Sequence, residues 1–85
     1  MENIIVVFNN RNLSLQFATN LKKNGINCKT VDTPRELSVS CGISIILSKI
    51  YLLRVKQLLK SGVYREIPRI YHIITNGVFK KYLPI

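Results

Sequence analysis

Residues 4–10 read Ile4-Ile5-Val6-Val7-Phe8-Asn9-Asn10, and the reading of this stretch decides the fold. A continuous apolar run of five, bounded by turn-forming residues, suits a strand in the middle of a sheet with both faces covered. Asn9 and Asn10 then offer side-chain oxygens to the orphan N–H groups that open a helix. That helix runs to about Asn24. Leu13, Phe17, Ala18 and Leu21 share one side, Lys22 and Lys23 complement the dipole in the last turn, and Gly25 supplies the stop.

Working outward, Ile26 to Val31 reads as a second, weaker strand, with Cys28 on the face of Ile26 and Thr30. In a third strand Ile43, Ile45 and Leu47 alternate with Ser44, Ile46 and Ser48. Ser48 is the expected N-cap of a second helix whose buried stripe is Leu52, Val55, Leu58 and Leu59, closed by Gly62. A turn through Glu66, Ile67 and Pro68 leads to a fourth strand, Arg69 to Ile74. The predicted class is α+β: a ferredoxin-like βαββαβ sandwich, two helices on one face of a four-stranded antiparallel sheet. Residues 1–74 form this domain, and residues 75–85 a basic, partly apolar C-terminal tail.

If Ile4, Val6 and Phe8 face the helices, Ile5 and Val7 point the other way, with Ile46 and either Tyr71 and Ile73 or Ile70 and Ile74 beside them. Bare apolar sheet surface of this kind finds a cover. The tail holds Val78, Phe79, Tyr82, Leu83 and Ile85, so it is expected to fold across its own sheet as a flap, or to join a second copy in a homodimer.

At 85 residues the chain supports one core. No apolar run approaches the ~18 residues of a membrane span, and Met1-Glu2-Asn3 lacks a cationic signal-peptide head, so the expected compartment is the cytoplasm. Cys28 and Cys41 have neither CxxC spacing nor a histidine cluster nearby, which predicts free thiols, no metal and no cofactor. The net charge of +9 attracts polyanions in a salt-dependent way.

The stretch least explained by a fold is Thr33-Pro34-Arg35-Glu36-Leu37-Ser38-Val39-Ser40-Cys41-Gly42, a proline-restricted turn and a Cys-Gly pair between two strands. With the helix ending Lys22-Lys23-Asn24-Gly25, it resembles the DUF3343 family of small selenium/sulfur (Se/S) carrier protein-like domains over about residues 3–74. The likeness implies that Cys41 is the carrier thiol, holding a chalcogen as a persulfide or selenosulfide, with Pro34, Arg35, Glu36, Ser38, Ser40 and Gly42 as its supporting loop. It also implies a sulfurtransferase or selenium-donor partner and an accessory protein rather than an independent enzyme.

The chemistry such a carrier needs is a thiolate. An ordinary thiol of pKa ~8.5 is only slightly ionised at neutral pH, so nearby positive charge or free N–H groups favour the reaction. Arg35 is the nearest cation; Asp32 and Glu36 act against it. Gly42 removes a side chain beside the sulfur. The plain alternative for Cys41 is a small buried hydrophobe, which is the preferred reading for Cys28. Strand pairing across the loop sets Cys28 opposite about residue 47, which disfavours a Cys28–Cys41 disulfide. His72, the sole histidine, reads as structural; a Cys41–His72 dyad lacks a third orienting group. No RRM-type aromatic signature precedes the third strand. The competing function is a non-catalytic basic binding module for nucleic acid or an acidic protein.

Overall fold

The apolar run becomes the central strand of the sheet. In the computed structural model, which describes residues 2–37, 42–61 and 68–85, the elements are β1 (Asn3–Val7), α1 (Arg11–Lys23), β2 (Cys28–Asp32), β3 (Ile43–Ser48), α2 (Leu52–Ser61), β4 (Arg69–Asn76) and β5 (Phe79–Pro84). Two 3₁₀ turns, Arg35–Leu37 and Lys49–Tyr51, precede β3 and α2. The strand order is β2-β3-β1-β4-β5, every neighbouring pair antiparallel. Ile5 of β1 lies between Ile46 of β3 and Tyr71 of β4.

The sheet therefore has five strands where the sequence pattern predicts four. Residues expected to cross the sheet as a flap pair edge-on with β4 instead, Asn76 opposite Phe79 and His72 opposite Leu83. Gly77 turns the chain at φ +64°, and Asn76-Gly77 is a strong short hairpin signal. Pairing gives the backbone groups of 79–84 partners that a flap lying on side chains leaves unmet.

α1 forms where its caps put it. The Asn10 side chain accepts from the N–H groups of Asn12 at 2.8 Å and Leu13 at 3.3 Å, meeting two orphan donors at the start. At the other end the Ile26 N–H donates to Leu21 O at 2.9 Å and the Gly25 N–H to Lys22 O at 3.1 Å, with Gly25 at φ +75°. This is a Schellman closure, and Leu21 and Ile26 both enter the core below it.

That core lies between the helices and one face of the sheet. Ile4, Val6, Phe8, Ile45 and Leu47 from the strands meet Phe17, Ala18 and Leu21 of α1 and Val55 of α2, with Leu52, Leu58 and Leu59 half-buried around them. Phe8 and Phe17 pack edge to face, ring centres 5.5 Å apart. Each fully buried side chain of this size contributes about 1.5–3 kcal/mol relative to exposure. The expected inward stripes of both helices thus reach one cluster. Gly62, Glu66 and Ile67, expected to end α2 and turn the chain, lie outside the described residues.

The opposite face carries a second cluster: Ile5, Val7 and Leu37, with Val31, Ile46, Tyr71, Ile73 and Tyr82 half-buried about them. Of the two sequence alternatives, Tyr71 with Ile73 is the one observed. No helix among the described residues is long and apolar enough to cross a membrane.

Candidate functional site

The loop between β2 and β3 is held at both flanks. On the first, the Leu37 N–H donates to Pro34 O at 3.0 Å, closing the turn Arg35–Leu37, and the Leu37 side chain is buried against Ile5 and Val7. On the second, the Gly42 carbonyl accepts from the Thr33 N–H at 2.9 Å, just beyond the last β2–β3 pair, Asp32 opposite Ile43. Gly42 sits at φ +76°, a left-handed conformation that a side chain at this position would strain even though nothing lies within 4 Å of its place.

Two hydroxyls complete the frame. Ser44 is fully buried on the outer face, and its Oγ shares a 2.6 Å hydrogen bond with Thr33 Oγ1, which satisfies a polar group the strand pattern turns toward hydrocarbon. Ser14 of α1, also fully buried, donates to Ile43 O at 3.1 Å and ties the helix to the first residue of β3. Thr33, Gly42, Ile43 and Ser44 are therefore joined by main-chain and side-chain bonds into one rigid footing. The sequence pattern assigns Thr33 no role and Ser44 only the polar side of a strand; the signal it carries is a serine flanked by isoleucines.

The sequence-predicted site residues divide across this frame. Pro34, Arg35 and Glu36 stand on the first flank and Gly42 on the second. Ser38, Ser40 and the expected carrier thiol Cys41 lie outside the described residues. Arg35 and Glu36 are exposed. Tyr82 of β5 packs against the cluster that Leu37 joins, and its phenol is held above its ordinary pKa, first by burial and then by the Glu36 carboxylate. That neighbourhood was not legible while residues 79–84 were read as a tail.

The other chemistry-bearing groups lie elsewhere. Cys28 pairs in register with Leu47, as expected, and its Sγ donates to Ala18 O at 3.7 Å. Burial pushes its thiol up, against an opposing pull from Lys22, which is the signature of a packed rather than a nucleophilic cysteine. His72 pairs with Ile4, which pairs with Leu47 on its other side. The imidazole is thus level with the far end of β3, about 13 Å along the strands from Ile43. Its sealed Nε2 lies 3.4 Å from Glu2 Oε2, longer than an ordinary hydrogen bond. Glu2 is engaged chiefly by Lys49 Nζ at 3.1 Å. A Cys41–His72 dyad turns on Cys41, which lies outside the described residues. Among them no group of three or more His, Cys, Asp or Glu side chains converges as a metal site.

A scan against family models matches residues 3–71 to the family described as "Putative Se/S carrier protein-like". The chain belongs to that family. The match takes in β1 through the beginning of β4, including the whole β2–β3 loop, and leaves out β5. No curated protein and no solved structure matches the chain.

Proposed function

We propose that the protein carries sulfur or selenium on Cys41 and passes it to a partner. The observation that carries this reading is membership of the Se/S carrier protein-like family across the β2–β3 loop, together with the footing that holds both flanks of that loop. A carrier gains from such a footing, because fixed flanks keep a short reactive segment in its place between a donor and an acceptor.

In loading, the Cys41 thiolate attacks the terminal sulfur of a donor persulfide, forming Cys41–S–SH and releasing the donor as a thiolate. In unloading, an acceptor nucleophile attacks that same outer sulfur and Cys41 leaves as thiolate. Neither step requires an oxidant, because one S–S bond breaks as another bond to the sulfane sulfur forms. Arg35 favours the thiolate in this scheme, and Cys28 takes no part. The scheme fits a protein that works with a loading partner rather than alone. Our reading of the fold as ferredoxin-like rests on the order β2-β3-β1-β4 with both helices in one cluster, β5 being an addition at the edge.

Intact-mass analysis after incubation with a small-molecule persulfide donor tests the proposal. The wild type and Cys28→Ser are expected to gain one sulfur atom that a reductant removes, and Cys41→Ser to gain none. Labelling that follows Cys28 instead, or a folded wild type that stays unlabelled, would overturn it.

A further inference from the structure

Where α2 ends and β4 begins, an open groove of about 470 Å³ runs between the helix and the end of the sheet. Its floor is aliphatic, formed by Leu59, Pro68, Ile70, Pro84 and Ile85, and the Ile85 N–H donates to Ile70 O at 2.9 Å to close it. Lys56 and Lys60, one helical turn apart on α2, and Arg69 at the start of β4 stand along it, all three exposed. None of the three has an ion-pair partner among the described residues. Of the four acids, Glu2 is engaged with Lys49, Asp32 lies on the opposite edge strand, Glu36 sits in the 3₁₀ turn before β3, and Glu66 lies outside the described residues. The groove is of a size that binds ligands and combines an apolar floor with cations of one sign.

Charge and shape together select the occupant. A second copy of this chain would bring +9 against +9 at a patch that is itself cationic. Single-stranded nucleic acid is held by aromatic stacking platforms, and among the described lining residues Tyr71 is the one aromatic ring. A small monoanion would engage one of three cations. We propose that the groove docks an extended acidic segment of a partner protein, one aliphatic side chain seated on Leu59, Ile70 and Ile85 and its carboxylates meeting Lys56, Lys60 and Arg69. This inference is independent of the chemistry at Cys41.

Fluorescence anisotropy with the labelled peptide Glu-Asp-Leu-Glu-Asp tests it on the full chain. The peptide is expected to bind with an affinity that falls as salt is raised, and Lys56→Glu/Lys60→Glu and Arg69→Glu each to weaken it about tenfold or more. Lys22→Glu/Lys23→Glu, which lowers the net charge as much from α1, is expected to change it less than about twofold. Cys41→Ser is expected to bind as the wild type does, which separates failure here from failure of the carrier reading. Equal weakening by the α1 pair would reduce the effect to the diffuse field and overturn the proposal. So would equal binding of a peptide with Ser in place of Leu, or tighter binding of an oligothymidylate that competes with the peptide.

Discussion

The two faces of the sheet are covered by different means. On one, two helices deliver Phe17, Ala18, Leu21 and Val55 at helical spacing onto Ile4, Val6 and Phe8. On the other, the buried cover residue among the described residues is Leu37, brought by the 3₁₀ turn of the very loop that holds the family motif, over Ile5 and Val7. The helical face is redundant, many residues each contributing a share. Among the described residues the loop face takes its cover from one side chain, Leu37, which predicts that stability and the candidate site are coupled there and separate elsewhere.

That contrast is broken most directly from the helical side. Phe17→Ala removes a fully buried ring that packs on Phe8 and is expected to destabilise by about 3–5 kcal/mol in denaturant titration. Alkylation of Cys41 in the folded fraction should remain at the wild-type rate. Leu37→Ala is expected to cost less, about 2–3 kcal/mol, yet to change the rate of Cys41 alkylation under native conditions. An unchanged rate would show that the outer-face cover and the reactive segment are uncoupled.

The footing sharpens the comparison further. Thr33→Val leaves the buried Ser44 hydroxyl without its partner and is expected to cost about 1–3 kcal/mol, while Thr33→Val/Ser44→Ala recovers most of that loss. A double variant no more stable than the single one would contradict the role given to this bond.

The smallest effect belongs to the far end of the sheet. The hydrogen bond and charge of Lys49, followed by the charge of His72, hold the Glu2 carboxyl below its ordinary value of 4.5. A depressed carboxylate contributes stability above its unfolded pKa and loses it as pH falls through the folded one. The melting-temperature gap between wild type and Glu2→Gln is therefore expected to be small at neutral pH and to close as Glu2 protonates. A gap that widens in acid would reverse the assignment.

Much of this architecture was legible because it is periodic. Asn10, Gly25, the 3.6-residue stripe of α1 and the alternation of β3 each depend on residues a turn or a pleat apart, and all appear where the pattern places them. The hairpin signal Asn76-Gly77 plays no part in the sequence reading of residues 75–85 as a tail, and local turn chemistry in any case shows only that a chain reverses and not what it pairs with. The candidate site was legible as a motif, Thr33 to Gly42, but not as a mechanism of support.

By itself, then, the sequence determined β1 to β4 and both helices, the two-faced character of β1 and the family, because propensity, caps and motif residues act through near neighbours in the chain. Only the tertiary structure decided that Leu37 covers the outer face, that Thr33 bonds Ser44, and that Lys56, Lys60 and Arg69 line one groove with Ile85. Those contacts join residues on different elements, and which of many compatible partners meet is set by the register and packing of the whole sheet.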